Sequence, residues 1–166
     1  MRKYLGLIIL FFSVARCTAQ DNKPDREDFF NADNFTGDTL YIKSRFMECG
    51  EWGGHLELSK MYSRDKDFFI NYQMFEADCH SVNDKNLTPN QKLVKTITKK
   101  LLDKDKSLIN LYIHQLLAAK FIEPVPMNSG YMFEVKKSDN SLLINVYTWG
   151  ATTKDQYLRF IKTLLE

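Results

Sequence analysis

The chain is 166 residues long, with 23 basic and 21 acidic residues and a formal net charge of +2. Removing residues 1–19, which read as an export signal, takes away Arg2, Lys3 and Arg16 but no acid, leaving 147 residues at a net charge of −1. A near-neutral chain of that size has no general electrostatic attraction for nucleic acid, and it has room for one domain with a real core but little room for two.

Met1-Arg2-Lys3 places positive charge at the extreme N-terminus, residues 5–15 form an apolar run, and Cys17-Thr18-Ala19 supplies the small residues of a cleavage site. This is the three-part grammar of a secretory signal. Crossing a bilayer as a helix takes about 20 apolar residues, so the run is an address rather than a span, and the rest of the chain offers no second candidate. Cleavage is expected between Ala19 and Gln20, with a cut after Ala15 as the alternative. Lipidation would fall on Cys17, but Arg16 stands where that signal wants a small residue. The expected location is periplasmic or extracellular, with no transmembrane segment.

Residues 20–38 form an acidic leader (Asp21, Asp25, Glu27, Asp28, Asp33 and Asp38, with Pro24) in which Phe29, Phe30 and Phe35 predict partial docking onto the body. Residues 40–48, 55–63 and 68–77 are aromatic and β-branched runs separated by turn chemistry, which predicts an antiparallel meander. In the second run Leu56, Leu58, Lys60 and Tyr62 alternate with more polar neighbours. In the third, Phe68, Ile70, Tyr72 and Met74 share a face at the strand period of two.

Thr88-Pro89-Asn90-Gln91 has the form of a helix start, a capping hydroxyl followed by proline and then glutamine, and Leu93, Val94, Ile97 and Leu101 recur at helical spacing. A polar break over residues 103–107 precedes a second helical stripe of Ile109, Tyr112, Ile113, Leu116, Leu117 and Phe121. Pro124, Pro126 and Gly130 end the helical region. Residues 131–137 and 141–149 then predict a hairpin turned at Asp139-Asn140, its second strand central and Tyr147 and Trp149 in the core. Thr152 or Thr153 is expected to cap a last helix bearing Tyr157, Leu158, Phe160, Ile161, Leu164 and Leu165. The order predicts an α+β fold over residues 39–166: a largely antiparallel sheet, made of a three-strand meander plus a C-terminal hairpin, with two or three helices packed on one face.

Cys49 and Cys79 are the two cysteines left after export, and an even pair in an oxidising compartment predicts a disulfide. First and third strands of a meander run the same way but sit about 9.6 Å apart, so the loop holding Cys79 is expected to fold back. Cys49, His55, Cys79 and His80 are also four ligand types that zinc takes, although the spacing matches no standard structural site. A third reading makes Cys49 a nucleophile with His55 or His80 as its base. No serine-hydrolase elbow, zinc-protease helix, phosphate loop or dinucleotide fingerprint is present. Glu48 and Glu51, like Asp78 beside His80, read as surface acids.

Trp52 sits between Gly50 and Gly53-Gly54, where a turn can present an aromatic side chain to a partner, and tryptophan is enriched at interaction hot spots. The competing reading folds it back over the neighbouring cysteine. Lys92, Lys95, Lys99, Lys100, Lys104 and Lys106 give the 88–106 region a basic surface, either a solvated face or a patch for an acidic protein or membrane. Asn34-Phe35-Thr36 and Asn86-Leu87-Thr88 match the glycosylation pattern.

The function expected from these features is an exported, non-enzymatic binding domain of inhibitor or immunity type. It would capture another protein through Glu51, Trp52, Gly53 and Gly54, with no metal, cofactor or nucleic acid. The alternatives are a secreted or envelope hydrolase built on Cys49, His55, Asp78 and His80, or a metal-binding domain.

Overall fold

The computed structural model describes residues 38–50, 53–83, 88–122 and 130–166, with side chains at all of them except Val82 and Asn83. The export signal, residues 20–37 of the leader, Glu51, Trp52 and both glycosylation asparagines lie outside the described residues. Eight elements follow in order: β1 (Leu40–Arg45), β2 (Leu56–Arg64), β3 (Asp67–Asn83), β4 (Thr88–Lys100), α1 (Asp103–Ile122), β5 (Tyr131–Lys137), β6 (Leu143–Thr148) and α2 (Ala151–Leu165). The strands form one sheet in the order β4-β3-β2-β1-β5-β6, and every neighbouring pair is antiparallel. The fold is therefore α+β, with the meander and the C-terminal hairpin joined through the β1–β5 pairing.

Both helices pack on one face of the sheet. Strand alternation turns Leu40 and Ile42, Met61, Ile70 and Tyr72, Phe133 and Val135, and Ile144 and Val146 to that face, where all are buried. They meet Ile109, Tyr112, Ile113 and Leu116 of α1 and Tyr157, Phe160, Ile161 and Leu164 of α2 in one cluster. The 3-1-3 spacing along α2 keeps its apolar side chains on one stripe, and the Tyr112 and Phe160 rings stack at 4.3 Å where the helices touch. The opposite face carries Tyr41, Lys43 and Arg45 of β1, Leu58, Lys60, Tyr62 and Arg64 of β2, and Glu134 and Lys136 of β5, and none of the described helices lies over it.

Several expectations are corrected. Residues 88–100 form strand β4, not a helix. Val94, Thr96, Ile97 and Thr98 are β-branched, and the long β3 offers a pairing partner from Phe69 to Asn83, which outweighs the local capping pattern. A helix would have buried the stripe Leu93, Val94, Ile97 and Leu101; the strand buries Leu101, half-buries Ile97 and leaves Leu93 and Val94 each 48% exposed. Residues 103–107 are not a break but the first turn of α1. The capping role expected of Gln91 belongs to Asp105, whose Oδ2 accepts from the Leu102 N–H at 2.9 Å, three residues back.

In β2 the inward set is Glu57, Ser59 and Met61, and the alternating series Leu56, Leu58, Lys60 and Tyr62 lies on the other face. β6 is an edge strand rather than a central one, so Tyr147 and Trp149 are 38% and 56% exposed. Neither Thr152 nor Thr153 caps α2: Gly150 is the cap residue, and its N–H is taken by Thr148 Oγ1 at 2.7 Å.

Candidate functional site

The connection between β1 and β2, residues 46–55, crosses the end of β2 and is bonded to β3. β2 is 9 residues long and β3 is 17, and β2 stops pairing at Met74, so the far half of β3 runs on with only β4 beside it. The connection fills the space left at that end, and a disulfide joins Cys49 to Cys79 with their Cα atoms 5.2 Å apart. The expected disulfide is thus present, with one geometric correction. Cys79 lies within β3, and it is the loop holding Cys49 that reaches across, because β2 ends before it would intervene.

Backbone bonds tighten the same loop. Cys49 N–H donates to Gly53 O at 2.7 Å, Gly50 N–H to Met47 O at 3.0 Å, and Gly53 N–H to Gly50 O at 3.1 Å. The last of these ties together the two ends of the segment that holds Glu51 and Trp52. Gly53 has φ +91°, a left-handed conformation that glycine adopts at no steric cost. Gly54 is required for another reason: a Cβ there would stand 2.6 Å from the Glu48 nitrogen and 2.9 Å from the Phe46 carbonyl oxygen. From β4, Gln91 Nε2 donates to the Gly54 carbonyl at 3.0 Å and fixes that end of the loop to the sheet.

Beneath the loop lies a chain of ionisable groups. His55 Nδ1 is 2.6 Å from Glu48 Oε1 and its Nε2 is 3.3 Å from Glu57 Oε1, while the His55 N–H donates to Glu48 Oε2 at 3.1 Å. The Tyr157 hydroxyl donates to Glu57 Oε2 at 2.7 Å, and the Tyr72 hydroxyl bonds the same carboxylate. Phe46 stacks on the imidazole at 4.0 Å with the planes 8° apart. Exposure falls steeply along the chain: the Glu48 side chain is 52% exposed, that of His55 20% and that of Glu57 6%.

Carboxylates face both ring nitrogens, so the arrangement favours the protonated form of His55, which has a donor for each. Burial works against its charge, but Glu57 and Glu48 outweigh burial and hold its pKa above the ordinary 6.5. Burial likewise pushes Glu57 upward, and the donors His55, Tyr157 and Tyr72 outweigh it, so its carboxyl sits below the ordinary 4.5. Burial and the Glu57 charge raise Tyr157 well above 10 and keep it a donor. A buried carboxylate is tolerated when opposite charge and hydrogen bonds replace the lost water, and Glu57 has three such donors.

Chemically, this arrangement holds a loop still. Both ring nitrogens of His55 are engaged by carboxylates, and the Glu57 carboxylate is engaged by His55, Tyr157 and Tyr72. The reading of Cys49 as a nucleophile with His55 as its base is corrected: its sulfur is bonded to Cys79, and His55 is engaged by two glutamates. His80 is exposed on β3, where its N–H donates to Asp78 Oδ1 at 3.0 Å. The alternative ligand set of Cys49, His55, Cys79 and His80 loses both sulfurs to the disulfide.

A groove of about 390 Å³ opens beside the loop, with Glu48 and His55 on one wall and Met74, Glu76 and Val94 on the sheet side. It therefore combines apolar lining with exposed carboxylate. A larger cleft of about 590 Å³, between the end of α1 and the start of α2, has Trp149, Gln115 and Gln156 in its wall and no ionisable side chain.

Of the residues expected to form the contact, Gly53 and Gly54 are described and are buried in the loop, while Glu51 and Trp52 lie outside the described residues. Sequence reasoning discounted Glu48 and missed Glu57, Tyr72 and Tyr157 as partners of His55. The available signal was Glu57 itself, a carboxylate in an alternating strand whose inward set is ambiguous. Comparison with protein-family models, with curated proteins and with solved structures finds no match for this chain in any of the three.

Proposed function

We propose that this chain is an exported binding domain of inhibitor or immunity type that captures another protein through the turn between Gly50 and Gly54. The observation that carries the reading is the rigidity of the turn's base: a disulfide, a closing Gly53-to-Gly50 bond and a salt-bridged histidine hold both ends of the segment containing Glu51 and Trp52. Preorganising a contact loop lowers the entropy cost of association, and a tryptophan at its centre is the residue type most enriched among interface hot spots. The groove beside the turn, apolar with Glu48 and Glu76 at its wall, suits an extended lysine or arginine side chain of a partner. Export is supported by the signal-like N-terminus together with the disulfide.

The test is cross-linked capture from the compartment into which the protein is exported, comparing the natural sequence with Trp52→Ala. Loss of a hot-spot tryptophan weakens capture by at least about thirtyfold, the equivalent of 2 kcal/mol. Equal capture by both proteins removes the turn from the reading. Intact mass before and after reduction, taken on the same sample, reports whether the chain begins at Gln20 and whether Cys49 and Cys79 are bridged.

A further inference from the structure

The two helices touch at the stack of Tyr112 on Phe160, and beyond it a cleft opens between them beside the end of β6. Two helical turns along α1 and two back along α2, about 10 Å on each helix, stand Ala119 and Thr153, both buried. Ala118, Ala119 and Gly150 are too small to fill the gap, which leaves a volume of about 590 Å³. Small-molecule sites fall within roughly 300–1,000 Å³. Trp149, 56% exposed, forms one wall, and among the described residues its indole stacks on no other ring. Gln115 of α1 and Gln156 of α2 also line the cleft, and among the described residues neither amide has a hydrogen-bond partner.

The lining chemistry selects a ligand class by elimination. No ionisable side chain lines the cleft, so a charged ligand, a nucleotide with its phosphates included, would lose hydration without gaining a counter-charge. A wholly apolar ligand would displace water from the two glutamine amides and the Thr152 hydroxyl and leave them unpaired. What remains is a neutral ligand with an apolar face and several groups that both donate and accept. Each glutamine amide carries a donor and an acceptor side by side, as a vicinal pair of hydroxyls does, so the two match through paired hydrogen bonds. The negative face of an indole attracts polarised C–H groups, and the flat face of a sugar ring is made of these.

We propose that this cleft is a binding site for a neutral saccharide, its ring on Trp149 and its hydroxyls on Gln115, Gln156 and Thr152. The Gly150 N–H donates to Thr148 Oγ1 at 2.7 Å, which fixes the turn on which Trp149 stands. The site is independent of the binding turn: β6 is an edge strand, and β2, β1 and β5 separate it from β3, to which that turn is stapled.

The test titrates the full chain as exported with cellobiose, maltose, lactose and N,N′-diacetylchitobiose, followed by proton–nitrogen NMR. At least one sugar is expected to saturate with a Kd of about 1 mM or tighter. The indole N–H signal of Trp149 and the side-chain amides of Gln115 and Gln156 move, while the indole signal of Trp52 stays in place. Trp149→Ala weakens binding by about tenfold, and Gln115→Ala combined with Gln156→Ala does so by a similar factor. None of these three side chains belongs to the hydrophobic core, so the variants keep the dispersed spectrum of the natural protein. Ala118→Phe, which fills the cleft and removes no polar group, gives the same loss. Saturation that survives both Trp149→Ala and Ala118→Phe places the sugar elsewhere and overturns the proposal. So does the absence of saturation by all the sugars, or tighter binding of adenosine or decanol, which would make the cleft a site for a base or an apolar chain.

Discussion

The Tyr157 hydroxyl donates a 2.7 Å hydrogen bond to the Glu57 carboxylate, joining two buried groups 100 residues apart in the chain. Tyr157 belongs to the last helix and Glu57 to the second strand, so this bond ties α2 to the sheet directly under the stapled loop. Tyr157→Phe removes one of the three donors of a buried carboxylate and is expected to cost about 2 kcal/mol, the range for hydrogen bonds to charged groups. For a domain of this size that lowers Tm by roughly 5–10 °C. A double-mutant cycle with Glu57→Gln, read by urea unfolding, gives a coupling of at least about 1 kcal/mol if the bond acts as described. Additive effects would show that the two side chains act separately.

The same cluster sets a pH signature with two limbs. His55 has its folded pKa raised above 6.5, so its contribution is fully present below 6.5 and is lost as pH rises through the folded value. Glu57 has its pKa lowered below 4.5, so its contribution is fully present above 4.5 and is lost as pH falls through the folded value. Stability measured by urea midpoint is expected to be greatest between these limits. His55→Gln flattens the alkaline limb, and an unchanged limb in that variant would place its origin elsewhere.

The disulfide closes a loop of 30 residues. Replacing Cys49 and Cys79 together by serine is expected to cost about 3 to 4 kcal/mol on the chain-entropy model. The loss is measured as the change in unfolding free energy between the natural and double-serine proteins under non-reducing conditions. If the double variant is within about 1 kcal/mol of the natural protein, the loop is held mainly by the His55 bridges instead.

Two neighbouring lysines on β4 separate a buried interaction from an exposed one. Lys99 Nζ donates to the Leu164 carbonyl at 2.7 Å near the end of α2 and lies 3.4 Å from the buried Asp105. Lys100 pairs with Asp67 at 2.6 Å, but both partners are about half exposed. Lys99→Met leaves a buried carboxylate short of its cation and is expected to cost about 3 kcal/mol, whereas Lys100→Met costs less than about 1 kcal/mol. Thermal or urea denaturation of the two variants makes the comparison, and equal effects would contradict the burial argument.

The amino-acid sequence by itself determined the α+β class, the meander, the hairpin spanning β5 and β6, the apolar stripe of α2 and the pairing of Cys49 with Cys79. These are legible because they rest on local periodicity, turn chemistry and cysteine arithmetic, all of which act over short stretches or are indifferent to path. Tertiary structure decided the state of residues 88–100, where a helical stripe and a helix-start pattern give way to an edge strand. A local pattern worth tenths of a kcal/mol per residue yields to a ladder with β3 that satisfies the backbone along most of its length. Tertiary structure also decided the inward set of β2, because alternation shows that two faces exist but not which one the helices cover. Only packing α2 over β2 makes Glu57 the buried member and gives it Tyr157 as a partner, and no spacing in the sequence connects residues 100 positions apart.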